Sequence, residues 1–260
     1  MEKEINGVRS HYQIFVPPGR DPASGGSAGS SAFLILHGWG SNSDRWVAVA
    51  EEVSKKGFKV IVPDLPGFGK SDMLATAWNM NNYIKRVEGF INELKLGEFY
   101  LAGHSFGGAL AAKLTINHPQ QVKKVFLISA ASVRKRTTKK SLLKRIAKLA
   151  KVFSFLPYYS LFRKAFYKFI IRKSDYPYVD GVMKETFKNV ISEDLSQFTG
   201  FIKTPTVIIW GDKDKSTPIE DAYFMNQKIR NSKLVVINGA GHALNKDCPE
   251  ILAEKIMQNV

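Results

Sequence analysis

The sequence predicts an α/β domain, in which a mostly parallel, twisted sheet carries helices on both faces and a helical cap is inserted. Six apolar runs lack strict polar alternation, as strands that are buried on both faces do. Helical patterns separate most of these runs, and strands that alternate with helices form parallel sheets through right-handed crossovers. The alternation is interrupted from about 131 to 203, a gap far longer than an ordinary connection, which predicts the inserted cap.

The individual elements follow from local patterns. Asn6-Gly7 is a hairpin signal, and the extended run from Val8 to Val16 behind it predicts a short antiparallel hairpin at the start of the domain. The predicted buried strands are Ala32–Leu36, Phe58–Val62, Phe99–Ala102, Val125–Ser129, Thr206–Trp210 and Leu234–Ile237. The predicted helices cover 44–56, 78–95, 106–117, 219–229 and 249–258.

The long gap has a helical periodicity of its own. Lys and Arg are interleaved with one apolar stripe, which consists of Leu142, Leu143, Ile146, Leu149, Ala150 and Phe153. The predicted organisation is a core in two parts, residues 1–130 and 204–260, with a strongly basic helical cap at 131–203.

Length and composition fit one folded domain with an insertion. The chain has 260 residues, of which 44% are hydrophobic and 12% aromatic, and these values exclude a disordered or fibrous chain. Its one cysteine, Cys248, excludes an internal disulfide and a zinc site built on several thiolates. The amino terminus carries acids where a secretory signal has basic residues, and no stretch of about 18 apolar residues occurs, so we expect a cytoplasmic protein.

The net charge of +15 is concentrated in one segment. Fourteen Lys and Arg residues and no Asp or Glu lie between 132 and 174, which leaves 24 basic and 23 acidic residues in the rest of the chain. Basic residues interleaved with aromatic ones could form a surface that binds an anionic membrane or gathers acidic substrates. The alternative is a solvated outer face. Nucleic acid is a disfavoured partner, because no recognised nucleic-acid module accompanies the charge.

A serine motif stands at a predicted strand-to-helix junction. Gly103-His104-Ser105-Phe106-Gly107 follows the strand at 99–102 and precedes the helix at 106–117. A serine at such a sharp turn holds its hydroxyl above the sheet, and the flanking glycines avoid collisions with neighbouring backbone. The amino terminus of the next helix also offers free N–H groups to a developing negative charge.

A serine hydroxyl needs a base to act as a nucleophile, and the base needs an acid to orient it. His242 lies in a glycine-containing loop just past the predicted strand at 234–237, within reach of the carboxyl edge of the sheet. The acid should follow the strand at 206–210, where Asp212 and Asp214 are both candidates. The order Ser, Asp, His matches one of the known chain orders of the catalytic triad.

Five ordered motifs make the chain resemble an enzyme of the α/β-hydrolase fold, in the capped serine-hydrolase branch. The motifs are His37-Gly38-Trp39-Gly40, Asp64-Leu65-Pro66-Gly67-Phe68-Gly69-Lys70-Ser71, Gly103-His104-Ser105-Phe106-Gly107-Gly108, Gly211 to Pro218, and Gly241-His242 with Pro249-Glu250 behind it. The resemblance spans nearly the whole chain.

The resemblance assigns roles by position. Ser105 is the nucleophile and His242 is the general base. The family's Gly-x-x-Asp-x-x-x-Pro pattern, matched at 211–218, selects Asp214 over Asp212 as the acid.

The resemblance also implies an oxyanion hole made by the backbone N–H groups of Trp39 and Phe106. Haloalkane dehalogenases and epoxide hydrolases of this fold carry aspartate where Ser105 stands, so those activities are disfavoured. His37 and His104 are expected to hold hydrogen bonds of the loops rather than to act on a substrate. The histidine spacing fits no metal site, and we assign neither a metal nor a cofactor.

These roles predict a hydrolase that cleaves carboxylic esters with small to medium acyl groups through an acyl-enzyme intermediate. Aromatic residues of the cap are expected to line the acyl pocket: Phe153, Phe155, Tyr158, Tyr159 and Phe162. Within the enzyme class, the alternatives are a lactonase, including one for acyl-lactones, and a carbon–carbon bond hydrolase. Outside it, the alternative is a catalytically retired scaffold that binds an anionic membrane or nucleic acid. A retired scaffold should have lost one of Ser105, Asp214 and His242, and all three are present.

Overall fold

The structure, a computed structural model, describes residues 1–5, 7–19, 31–133 and 181–260. The strands in these ranges are β1 (Glu2–Ile5), β2 (Val8–Phe15), β3 (Ala32–Leu36), β4 (Lys59–Pro63), β5 (Phe99–His104), β6 (Val122–Ile128), β7 (Thr206–Gly211) and β8 (Ser232–Ile237). They form one sheet in the order β1-β2-β4-β3-β5-β6-β7-β8. β1 and β2 make the predicted antiparallel hairpin, in which Ile5 pairs with Val8, and β2 is antiparallel to β4. All pairs from β4 to β8 are parallel, as predicted.

Helices cover both faces of the sheet. They are α1 (Val47–Lys55), α2 (Met80–Glu93), α3 (Phe106–Asn117), α4 (Gly181–Ser192), α5 (Ile219–Lys228), α6 (Leu244–Asp247) and α7 (Pro249–Met257), with 3-10 turns at Ser43–Trp46 and Ser196–Phe201. Residues of α2, α3 and α5 pack into one core cluster, and residues of α1 and α7 pack into the other.

Strand β3 explains the continuous apolar runs of the sequence. Leu34 and Leu36 lie in the core cluster with α2, α3 and α5, whereas Phe33 and Ile35 lie in the cluster with α1 and α7. Because successive side chains point to opposite faces, a strand covered on both sides has no solvent-facing positions. This central part of the sheet places the carboxyl ends of its parallel strands at one edge.

Several strand boundaries differ from the predicted ones. β5 continues past Ala102 through His104, because Gly103 and His104 still pair with β6 although neither continues the apolar run. β6 begins at Val122 rather than Val125, since Lys123 and Lys124 at the amino end of the strand interrupt the apolar signal. It ends before Ser129, whose φ of +43° is incompatible with a strand.

The predicted cap is described only in part. Its described portion contains α4, whose buried residues Met183, Thr186 and Val190 face the core, and the 3-10 turn Ser196–Phe201. The apolar stripe that begins at Leu142, the fourteen basic residues and the five predicted pocket aromatics lie outside the described residues, so the cap as a whole stays a prediction. Where the chain is described, none of its helices has the length and apolar character needed to cross a membrane.

Candidate active site

Ser105 occupies a strained turn between β5 and α3. Its backbone has φ +52° and ψ −113°, a conformation that costs a residue with a side chain about 1–3 kcal/mol. Two backbone hydrogen bonds hold the turn: Ser105 N donates to the Ile128 carbonyl at 3.0 Å, and Ala131 N donates to the Ser105 carbonyl at 2.9 Å. The hydroxyl therefore projects from a fixed point at the carboxyl edge of the sheet.

Two glycines of the serine motif are required by close approach. A Cβ on Gly103 would collide with the carbonyl of Gly107, and a Cβ on Gly107 would collide with the carbonyl of Leu36 at the end of β3. The turn is thus packed against its own helix and against the neighbouring strand, which leaves no space for side chains at these positions.

Three side chains from separate loops form a continuous hydrogen-bonded chain. Ser105 Oγ lies 3.0 Å from His242 Nε2, and His242 Nδ1 lies 2.8 Å from Asp214 Oδ2. Ser105 follows β5, Asp214 follows β7 and His242 follows β8. Because these strands are parallel, residues separated by more than a hundred positions meet at one edge of the sheet. The chain has the geometry of an activated nucleophile, its base and an orienting acid.

The Asp214 carboxylate accepts hydrogen bonds at both oxygens. Oδ1 accepts from Ser216 N at 2.8 Å and Thr217 N at 2.9 Å, and Oδ2 accepts from the Thr217 hydroxyl at 2.7 Å and from His242. Burial by itself would raise the pKa of Asp214, but the hydrogen bonds from His242 and Thr217 outweigh it and lower the pKa to about 2. The carboxylate is therefore ionised at neutral pH.

The second candidate acid, Asp212, makes a different contact. Its Oδ1 accepts from Gly239 N at 2.7 Å, and the neighbouring Lys213 N donates to the Ala240 carbonyl at 2.9 Å. These bonds join the loop after β7 to the loop that carries His242. Asp212 thus ties two loops together, whereas Asp214 faces the imidazole.

Both motif histidines are buried and hold backbone groups. His104 Nε2 donates to the carbonyl of His242 at 2.8 Å, and the two rings lie 4.9 Å apart. Burial, and then the neighbouring His242, lower the pKa of His104 to about 4, so its ring is neutral at neutral pH. His37 donates from Nδ1 to the Gly38 carbonyl and accepts from Leu65 N at Nε2, and burial lowers its pKa as well.

The two predicted oxyanion donors, Trp39 N–H and Phe106 N–H, belong to segments that border the serine. Phe106 is the first residue of α3, where backbone N–H groups have no partner within the helix. The loop with Trp39 passes close to Ser105, since a Cβ on Gly38 would lie 3.3 Å from Ser105 Cβ. The rings of Trp39 and Phe106 are 5.6 Å apart.

An aromatic wall lies beside Ser105, and the sequence motifs contain some of its residues but did not predict that they meet. The half-buried Trp39 contacts Phe68 at 4.8 Å, Phe106 at 5.6 Å and Phe187 of α4 at 5.0 Å between ring centroids. Met183, one turn before Phe187, lies over Gly67, where a Cβ would be 2.6 Å from its sulfur. We define the aromatic wall as four aromatic side chains and one methionine that packs with them: Trp39, Phe68, Phe106, Phe187 and Met183.

The spacing of Met183, Phe187 and Val190 is a helical signal that could have indicated α4.

Hydrogen bonds anchor α4 to the core. Thr186 Oγ1 accepts from Trp78 N at 3.0 Å, and Asn189 Nδ2 donates to the Trp78 carbonyl at 3.3 Å. Glu193, just past the helix, forms an ion pair with Lys113 of α3. Phe187 is therefore held against Trp39 by contacts on both sides of it in sequence. Within the described ranges, no cluster of three or more His, Cys, Asp or Glu side chains could hold a metal ion.

Comparison with known proteins identifies the class that this fold and site define. The family model of the alpha/beta hydrolase fold matches residues 31–248, and the chain belongs to this family. Among relatives, the AB hydrolase superfamily protein YisY of Bacillus subtilis (strain 168) is 29% identical over 229 residues, which cover 80% of this chain and 84% of that protein. The 2-hydroxy-6-oxononadienedioate/2-hydroxy-6-oxononatrienedioate hydrolase 1 of Pseudomonas putida is 26% identical over 242 residues and 82% of each chain.

A solved structure shows the same fold. A thermophilic esterase from Thermogutta terrifontis has a TM-score of 0.72 and 23% identity, with 99% of this chain and 97% of that chain covered. The predicted fold class is thereby confirmed, and the chain is a member of a hydrolase family.

Proposed function

We propose that the protein is a serine hydrolase that cleaves carboxylic esters of small to medium apolar acyl groups. The observation that carries the proposal is the hydrogen-bonded chain from Ser105 through His242 to Asp214, which lies at a strained turn beside the aromatic wall. No cofactor takes part in the proposed reaction.

In the first half of the reaction, Ser105 Oγ attacks the ester carbonyl carbon while His242 Nε2 takes the hydroxyl proton over the 3.0 Å hydrogen bond. The ionised Asp214 holds Nδ1–H and stabilises the imidazolium that forms. Backbone N–H groups of Trp39 and Phe106 are assigned to the negative oxygen of the tetrahedral intermediate, where one donor is worth about 3 kcal/mol. The intermediate then expels the alcohol oxygen, which receives the proton from Nε2.

In the second half, water replaces the alcohol. His242 takes a proton from the water, whose oxygen attacks the acyl carbon of the Ser105 ester. Collapse of the second tetrahedral intermediate releases the carboxylic acid and returns the proton to Ser105 Oγ. The same three side chains therefore serve both halves, with His242 alternating between base and acid.

The aromatic wall supports an apolar acyl group. Trp39 and Phe187 are half-buried and their rings lie 5.0 Å apart, and the loop with Trp39 passes close to Ser105, so an acyl chain bound against the two rings would exclude water from both. Burial of apolar surface contributes about 25 cal/mol per Å², or about 0.8 kcal/mol for each methylene group. This favours apolar chains over the dicarboxylate that the Pseudomonas putida relative is named for.

Lactone hydrolysis and carbon–carbon bond hydrolysis are the alternatives within the class. A lactone undergoes the same attack by Ser105 on a cyclic ester, and a ring-fission product needs the same activated serine. A panel of nitrophenyl esters of increasing acyl length, acyl-lactones and a ring-fission dicarboxylate distinguishes the three. We expect the highest kcat/KM on esters of short to medium acyl chains. A clear preference for lactones or for the dicarboxylate would replace the ester proposal, and no turnover of any of them would favour the retired scaffold.

Phe187 is expected to limit the length of the acyl group. Phe187→Ala removes one ring of the aromatic wall, so the ratio of kcat/KM for an octanoyl ester to that for an acetyl ester should rise about tenfold. Phe187→Trp fills the same space and should lower that ratio. The measurement is initial-rate kinetics on the two esters.

The matched control is Phe198→Ala, which removes a ring that is 40% exposed on the 3-10 turn after α4. It should leave the ratio unchanged. Equal ratios in the wild type, Phe187→Ala and Phe187→Trp would show that Phe187 does not line the acyl site.

A further inference from the structure

The Thr217 hydroxyl lies inside the candidate active site, but the proposed reaction assigns it no role. Oγ1 is 2.7 Å from Asp214 Oδ2, 3.2 Å from His242 Nδ1 and 3.3 Å from the Ser129 carbonyl oxygen. The residue is only 7% exposed. It therefore touches both the acid and the base and is shielded from water.

The hydroxyl has one proton, and its neighbours decide where that proton points. Asp214 Oδ2 is both the nearest acceptor and a charged one, whereas the Ser129 carbonyl is neutral and at the limit of hydrogen-bond distance. With the proton directed to Oδ2, a lone pair of Oγ1 is free to face Nδ1–H of His242. The Nδ1–H group then lies between two oxygens, the carboxylate at 2.8 Å and the hydroxyl at 3.2 Å.

We propose that Thr217 is a positioning residue that fixes the Asp214 carboxylate against His242, an inference that rests on the proposed function. Asp214 Oδ1 is already held by two backbone N–H groups, and Oδ2 is held by Thr217 Oγ1 and His242 alone among the described residues. The threonine hydroxyl is thus the one fixed donor to the oxygen that orients the base.

Thr217 can do this because its own backbone is held. Trp210, a fully buried residue of β7, donates its indole N–H to the Thr217 carbonyl at 2.9 Å. Thr217 N donates to Asp214 Oδ1 at 2.9 Å, and Pro218 follows with φ −65°. The hydroxyl is therefore presented from a turn that is held by two hydrogen bonds and followed by a proline of fixed φ, and a β-branched side chain has few rotamers to choose from.

Loss of the hydroxyl should slow the activation of the nucleophile. Thr217→Val removes both the donor to Asp214 Oδ2 and the oxygen that faces Nδ1–H of His242, so the imidazole loses part of its fixed orientation toward Ser105. A less well oriented base takes the Ser105 proton more slowly. Thr217→Ser keeps the hydroxyl and should restore the rate.

The test uses Thr217→Val, Thr217→Ser and the matched control Thr206→Val. Thr206 is buried at the start of β7, and its hydroxyl donates to the Thr204 carbonyl at 2.8 Å, so its replacement removes a buried hydroxyl bond far from the acid. The readout is the rate at which a fluorophosphonate labels Ser105, measured by mass spectrometry. This readout needs an activated serine and does not depend on which ester or lactone is the natural substrate.

Thr217→Val should label about tenfold more slowly, the effect of losing one hydrogen bond to a charged group. Thr217→Ser should behave like the wild type, because it keeps the donor, and Thr206→Val should not change the labelling rate.

Two results would overturn the role of Thr217. One is a Thr217→Val protein that labels like the wild type. The other is an equal loss in Thr217→Val and Thr206→Val, or a Thr217→Ser protein that labels as slowly as Thr217→Val, because either result would show a purely structural effect. A folded wild type whose Ser105 is not labelled at all would overturn the proposed function, and the inference with it.

Discussion

Alanine in place of Ser105 is expected to abolish ester hydrolysis while the protein stays folded. The loss of a nucleophile that acts together with its base costs about a millionfold in turnover, because the remaining groups cannot form the acyl-enzyme. Alanine fits the same space, so the thermal unfolding temperature should stay close to that of the wild type. Turnover is measured with the best ester of the panel, and folding by circular dichroism.

Two further variants make this result specific. His242→Ala should lose a similar factor, because Ser105 Oγ then has no base at hydrogen-bond distance. Ser132→Ala is the matched control, since its hydroxyl is buried near the same edge and has no hydrogen-bond partner among the described residues. More than about a thousandth of wild-type turnover in Ser105→Ala would contradict Ser105 as the nucleophile.

Asp214→Asn should lower turnover about ten-thousandfold. The backbone N–H groups of Ser216 and Thr217 require an oxygen at the Oδ1 position, so the new amide nitrogen must take the Oδ2 position and face His242 Nδ1. A donor there stabilises the tautomer with its proton on Nε2, which cannot accept the Ser105 proton. Measuring kcat on the same ester gives the size of the effect.

Asp212→Asn provides the matched comparison, two residues away in the same loop. The asparagine keeps an oxygen that can accept from Gly239 N, so the tie between the two loops survives and turnover should change by less than about tenfold. If Asp212→Asn were the more damaging of the two variants, the acid would be Asp212 and our assignment would be wrong.

The sequence by itself was sufficient for the layout of the domain. Apolar runs and helical repeats are local properties, and they predicted the parallel strands, the helices between them and the hairpin before them. Parallel strands bring their carboxyl ends to one edge, so the loops with Ser105 and His242 could be expected to meet. The sequence also explained the glycines that flank the Ser105 turn, because a sharp strand-to-helix turn leaves no space for side chains.

The choice between the two acids needed more than local patterns. Residues alone left Asp212 and Asp214 open, and the family spacing favoured Asp214. In the structure, Asp214 bonds to His242 and Asp212 bonds to Gly239. Side chains two positions apart in a loop differ in direction, and that direction depends on how the loop closes against its neighbours.

Only the tertiary structure decided which side chains surround the serine. The helical pattern of α4 indicates that one face is buried, but nothing in it specifies that Phe187 lies 5.0 Å from Trp39, a residue far away in the chain. Thr217 belongs to the motif from Gly211 to Pro218, but only its distances to Asp214 and His242 indicate that its hydroxyl can position the acid. Hydrophobic periodicity encodes burial, whereas a hydrogen bond or ring contact requires the relative placement of several elements, which packing of the whole domain determines.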